Sequence, residues 1–320
     1  MDVLQELFFS PYIMFFLLGI LAGSTNSDLR IPEQLTKTIA LILMLTIGMK
    51  GGLLLRTNTA NLNTILYTIF LGILSGILIP ILGTWLLRLS SNISHENAAA
   101  LSAHYGSVSV VTFTFATQFL ETRGYTPAGY MVAIMSIMEI PAILTGLIIA
   151  NRASSTQLWS GYKAILKDSF LNSSVILLLG GLLIGLLGNP TKLSQITPFF
   201  IGAMPFLLCL FLLETGLLIS KEDRHIFSVP FVNVLFALYM PLIGMVIGLL
   251  FSKLAGAGYA ERVLFTTLCA SASYIAVPAA MRLALPNVDH QQNITCSLGI
   301  TFPFNILIGV PLYAYLARVV

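Results

Sequence analysis

Two stretches decide how this chain reads: Ala103-His104-Tyr105-Gly106-Ser107-Val108-Ser109, followed by Thr112 and Thr114, and Cys269-Ala270-Ser271-Ala272-Ser273-Tyr274, followed by Pro278. Each interrupts hydrocarbon-like sequence with hydroxyls and helix-weakening residues, once in each half of the chain. Polar groups at membrane depth need partners, so a matched pair of such segments implies a binding site shared between two repeats.

The surrounding sequence supports that setting. The chain is 57% hydrophobic and 9% charged, against roughly 25% charged in an ordinary soluble protein, which excludes a water-soluble globule. Apolar stretches of about 20 residues, enough to cross a bilayer, recur at 8–24, 31–55, 63–88, 97–119, 126–150, 171–188, 195–219, 228–252, 261–284 and 293–317. Asp2 and Glu6 precede the first, where a cleaved signal would want basic residues, so that span is expected to be retained. The net charge of +3 carries no nucleic-acid meaning, because the location of each charge matters more. Lys and Arg favour the face of loops 1–2, 3–4, 5–6, 7–8 and 9–10 (Arg30, Lys37, Arg88, Arg152, Lys163, Lys167, Lys221, Arg224 and Arg282) over the face of Arg56, Arg123, Lys192, Lys253, Arg262 and Arg318. Both termini are therefore expected outside, with the central loop in the cytoplasm. Cys209, Cys269 and Cys296 lie in or at the ends of apolar spans without CxxC spacing and read as packing residues.

Residues 151–170, NRASSTQLWSGYKAILKDSF, form the most polar long connection. They divide a first five-span repeat (1–150) from a second (171–320), with 151–170 as a cytoplasmic linker. Gly19 to Gly23 matches Gly181 to Gly185, Gly52-Leu53-Leu54 matches Gly216-Leu217-Leu218, and Pro141 matches Pro303, all in common order. Five is odd, so the second repeat enters from the opposite side. The expected fold is an all-α integral membrane protein of ten transmembrane helices, a 5+5 inverted repeat with discontinuous helices in spans 4 and 9. Two inverted units that rock past a midplane site imply alternating access.

In span 4, Gly106, Ser107, Val108, Ser109 and Thr112 combine flexibility, hydroxyls and β-branched neighbours; freed amides at the start of the next half-helix suit a small anion. In span 9, Ser271, Ala272, Ser273 and Tyr274 repeat the design, and Pro278 frees a carbonyl one turn earlier. Hydroxyls and free carbonyls are hard ligands suited to Na+. The competing reading is that these hydroxyls only let helices approach closely. Charges within spans mark function by default. Lys50 and Glu214 fall on equivalent repeat positions, where they either pair across the pseudo-two-fold or are solvated near a membrane face. Glu139, two residues before Pro141, is the deepest acid. His104 fits either a pH-sensitive gate or a satisfied buried histidine. Gly72-xxx-Gly76 and Gly244-xxx-Gly248 read as close helix packing. No Walker loop, HExxH, GxSxG or dinucleotide fingerprint occurs, so no enzyme is expected and transport would draw on an ion gradient.

Gly106-Ser107-Val108-Ser109-Val110-Val111-Thr112-Phe113, Met138-Glu139-Ile140-Pro141-Ala142, Ser271 through Arg282 and Gly299-Ile300-Thr301-Phe302-Pro303-Phe304-Asn305 together resemble the SbtA-like sodium-dependent bicarbonate transporters of cyanobacteria and other bacteria, over nearly the whole chain. The resemblance implies core and gate domains, homotrimers in a bacterial plasma (inner) membrane, and Na+ as coupling ion. Bicarbonate would be held by Gly106, Ser107, Val108, Ser109, Thr112, Ser271, Ala272 and Ser273. Na+ would be held by Ser109, Thr112, Ser273, Tyr274, Glu139, Thr301 and Asn305. Some members carry a Ser-Ser-Ser-Asp run where this chain has Tyr274, and a small residue at Val110, which leaves substrate and ion stoichiometry open. Some also carry a long cytoplasmic insertion; the short 151–170 linker argues against docking of a PII-like regulator. The rival readings are a symporter of another small or organic anion, a channel, and a non-transporting sensor.

Cysteines introduced at Ser155 and beside Val320 are expected to react with an impermeant thiol reagent from opposite sides of intact cells. Labelling from one side would overturn both the span count and the inversion.

Overall fold

A computed structural model describes residues 9–25, 27–57, 61–151, 173–221 and 229–320. The linker beyond Asn151, with Ser155, Lys163 and Lys167, lies outside the described residues. All regular structure among the described residues is helical. The helices are α1 Pro11–Ser24, α2 Glu33–Arg56, α3 Leu62–Ser90, α4 His95–Gly106, α5 Val110–Glu121 and α6 Tyr130–Asn151, then α7 Ser173–Leu187, α8 Pro190–Lys221, α9 Phe231–Leu254, α10 Tyr259–Ala270, α11 Ala276–Ala284 and α12 His290–Val319.

Local chemistry sets many of these boundaries. Pro11 opens α1, where its missing N–H costs nothing. Asn61 caps α3 by accepting from the Asn63 N–H at 3.0 Å, and Asn189 caps α8 by accepting from Thr191 at 3.0 Å. Among the described residues, six helices (α2, α3, α6, α8, α9 and α12) are long and apolar enough to cross a bilayer. Trp85, Phe70, Phe199 and Phe231 stand exposed on their outer surfaces, as lipid contact requires. Pro141 lies inside α6, which continues through it. Buried Ser75 and Thr84 return their hydroxyls to carbonyls of their own helix, Gly72 and Pro80, each at 2.8 Å.

The helices form two groups. In one, α1 packs along α8 and α2 along α7. Backbone meets backbone in these seams: a Cβ on Gly19 would strike the Leu213 carbonyl, one on Gly52 the Leu182 carbonyl, and one on Gly216 the Phe16 carbonyl. In the other group α3, α4 and α6 pack together beside α9, α10 and α12. There Gly106 lies against Pro80, and Gly244 and Gly248 lie against Cys269 and Thr266 of α10. Helix α12 contains π-helical turns at Thr295–Thr301 and Asn305–Gly309 on either side of Pro303, whose missing N–H already breaks the regular ladder.

Lys50 does not meet Glu214. It forms an ion pair with Glu121 at the end of α5. Glu214 lies with Gly23 and Arg30 at the far end of α1, whereas Tyr12 at the near end reaches the Glu121 neighbour Gln118. The helix rise separates these two levels by about 16 Å along α1.

Replacing Gly19 or Gly52 by Ala is expected to lower stability by about 1–3 kcal/mol through overpacking. Gly180, around which a Cβ meets open space, tolerates Ala. Thermal melts of the detergent-solubilised variants decide this, and equal melting temperatures for all three would remove the seam argument.

Candidate functional site

Helix α4 ends at Gly106 and α5 begins at Val110; α10 ends at Ala270 and α11 begins at Ala276. The intervening backbone is extended, with Ser107 at φ −88°, ψ 179° and Ser271 at φ −90°, ψ 168°. Gly106 fits the first break because any side chain would collide with the Pro80 ring. Ser109 restarts the helix as its cap: its Oγ accepts from the Thr112 N–H at 3.2 Å and lies 2.9 Å from the Thr112 hydroxyl. Pro278 stands in the first turn of α11, where no intrahelical N–H is missed.

Each break satisfies the other. The Ser109 N–H donates to Ser271 Oγ at 3.0 Å, and Ser271 Oγ donates onward to the Leu268 carbonyl at 3.0 Å. The Ser273 N–H donates to the His104 carbonyl at 2.8 Å. His104 Nδ1 lies 2.7 Å from the Ser273 carbonyl; a carbonyl only accepts, so the ring carries its proton on Nδ1. His104 is 0% exposed and its Nε2 has no partner. This is a positioning contact, and the sequence pointed to it only as an isolated histidine.

Helix α12 braces the crossing. Asn305 Nδ2 donates at 2.9 Å to the Ala270 carbonyl, the last of α10, and Tyr313 donates to Asn305 Oδ1 at 2.6 Å. Thr301 donates to the Ala237 carbonyl at 2.7 Å, which leaves the Tyr105 hydroxyl as donor in its 2.8 Å bond to Thr301. Thr301 and Asn305, expected among the Na+ ligands, are therefore engaged with α9 and α10 and do not line the cavity described next. A hydroxyl or amide in sequence does not reveal which neighbour it will face.

Between the breaks lies a cavity of about 10 Å3 lined by Met44, Val108, Ser109, Val110, Glu139, Ser273, Tyr274, Ile275 and Ala276. That is room for about one water-sized species, so a bicarbonate ion does not fit in this conformation. Val110 and Ala276 are the first residues of α5 and α11, so two helix N-termini direct partial positive charge at it. Glu139 is 3% exposed and makes no ion pair or hydrogen bond among the described residues. Tyr274 is half-buried beside Ser109 and near Glu214, and its hydroxyl makes no hydrogen bond of normal geometry among the described residues.

Of the residues singled out in sequence, Val108, Ser109, Ser273, Tyr274 and Glu139 line this cavity. Thr112 and Ser271 stand one hydrogen bond behind it, both on Ser109. Gly106, Ser107 and Ala272 build the crossing, and the buried Ser107 hydroxyl has no partner. Met44, Ile275 and Ala276 were not expected. Ala276 was recoverable from Pro278, which favours a first helical turn, while nothing marks Met44 among many apolar residues.

Residues 11–318 match the family model of the Na+-dependent bicarbonate transporter superfamily. The chain belongs to this superfamily. No curated protein matches it in sequence. Membership makes the protein a multi-pass membrane protein of a transporter family whose described activity is Na+-dependent bicarbonate transport, with sodium as coupling ion.

Ser271→Ala is expected to cost about 1–3 kcal/mol, because it leaves the buried Ser109 N–H unpaired, whereas Ser107→Ala removes a hydroxyl that bonds nothing. A thermal melt of both variants reads the difference, and equal stability would show that the Ser109–Ser271 bond does not hold the crossing.

Proposed function

We propose that the protein is a secondary active transporter that couples Na+ entry to bicarbonate uptake by alternating access, with the crossing of its two helix breaks as the site. The observation that carries this reading is Glu139, a buried carboxylate without a partner, facing a cavity between two helix N-termini.

Na+ is the species that balances it. A cation placed between Glu139, Ser109, Ser273 and the Tyr274 region neutralises the carboxylate and offers hard oxygen ligands throughout. Bicarbonate then binds next to the cation at the α5 and α11 N-termini, with hydroxyls of Ser107, Ser109, Thr112, Ser271 and Ser273 and the backbone of Gly106, Val108 and Ala272 around it. Without Na+, no cation balances the charge of a bound anion at low dielectric, which is strongly unfavourable. That electrostatic conflict is the reason for coupling. Thr301 and Asn305 serve this site as braces that hold the end of α10 and the neighbouring α9.

Support for two inverted five-span units comes from the pairing of α1 with α8 and α2 with α7, which the repeat register exchanges. In this reading α4 with α5, and α10 with α11, are the discontinuous fourth and ninth spans, both termini are outside, and the membrane is the bacterial plasma membrane. The α1, α2, α7 and α8 group rocks against the remainder, which enlarges the cavity enough to admit the anion.

Radiolabelled bicarbonate should enter proteoliposomes only under an inward Na+ gradient. Glu139→Gln keeps the shape and removes the charge, so it should raise the half-saturating Na+ concentration about tenfold, as loss of one charge-assisted contact does, and that of bicarbonate by less. Wild-type Na+ dependence at normal expression would take Glu139 out of the coupling, and uptake of another anion in preference would replace the substrate.

A further inference from the structure

The α1, α2, α7, α8 group touches the rest of the molecule sparsely, and the contacts differ between the two ends. At the end carrying the N-terminus of α1, Lys50 of α2 is ion-paired with Glu121 of α5, their side chains 14% and 24% exposed. Gln118 Nε2 donates to the other Glu121 oxygen at 3.1 Å, and the Tyr12 hydroxyl of α1 donates to Gln118 Oε1 at 3.2 Å. Beside them Gly51 of α2 and Gly129, just before α6, meet backbone to backbone. Only about 20 Å3 of space is left between Lys50, Glu121, Phe113 and Thr117. The lock's own end also carries an apolar cleft of about 550 Å3 along Tyr12, Phe115, Phe119 and Cys209, whereas the cleft of about 520 Å3 at the opposite end, along Gly23, Ser27, Arg30 and Glu214, is polar.

Helix α5 connects this seal to the cavity. Its first residue, Val110, lines the cavity and its last, Glu121, holds the ion pair. A helix moves as a rod, so displacement at one end is felt at the other. Separating Lys50 from Glu121 inside a membrane strands two charges, which is tolerable only when water reaches both. Opening of this end and entry of water are therefore one event.

We infer that Lys50 and Glu121, tied by Gln118 to Tyr12, form the lock that closes the solute path on the N-terminal side, and that this lock must break for the path to open there. The inference rests on the alternating-access reading above, and its test reads access directly, without substrate.

Thr117→Cys places a thiol behind the lock, and the buried native cysteines give the background rate. In purified protein its reaction with a charged methanethiosulfonate reagent should be slow. Lys50→Ala and the isosteric Glu121→Gln should each speed it by about fivefold, the population shift that loss of a half-buried pair allows. Lys50→Glu combined with Glu121→Lys should restore protection. Unchanged labelling in folded Glu121→Gln protein, or a double reversal as reactive as the single variants, would overturn the lock. Faster labelling in a protein that moves no bicarbonate would keep the lock and remove only the substrate reading.

Discussion

A helix interrupted inside a hydrophobic body exposes backbone amides and carbonyls that have no water to turn to, and the rest of this molecule is arranged around that cost. The two interruptions meet, and each supplies what the other lacks: Ser271 accepts from the Ser109 amide, and His104 both accepts from the Ser273 amide and donates to its carbonyl. Asn305 takes up the last carbonyl of α10. With those groups satisfied, the α5 and α11 N-termini are left pointing into a small space, and Glu139 is the one acidic side chain among the described residues that line it.

Much of this was legible in the sequence. Gly106, the serines and the valines signal a weak helix because glycine and short hydroxyl side chains compete with the helical ladder, and their occurrence in both halves suggested a common site. Glu139 was visible as an acid far from either end of its span. Partners were harder to read. Glycines at 19, 52 and 216 suggested a repeat, but nothing in their spacing says that Gly19 lies on α8 or that Gly52 lies on α7. Lys50 aligned with Glu214, yet equivalent positions need not be neighbours, and Glu121 took the pair instead. The π turns of α12 left no signal beyond Pro303, since an extra residue per turn is a response to packing rather than a propensity.

The distribution of polarity separates rigidity from motion. Between α1 and α8, and between α2 and α7, contact is made by main chain, which offers no rotamers and no sliding surface. Between the two helix groups contact is sparse and, at one end, combines the Lys50–Glu121 pair with a single backbone approach of Gly51 to Gly129. Backbone seams hold a body together; hydrogen-bonded side chains can exchange partners for water. On the alternating-access proposal, these seams supply the stiff element and the sparse interface is where it turns.

The seams also bear on how such a chain is made. Helices α1 and α2 have their closest partners in α8 and α7, and the first break is completed by residues of the second, so the seams and the crossing of the first half stay incomplete without the second half. During synthesis the early helices must wait in the bilayer, with glycine-rich faces uncovered and the amide of Ser109 unpaired, until the later ones arrive. Closure of the two seams and of the crossing therefore waits for the last helices of the chain to be made.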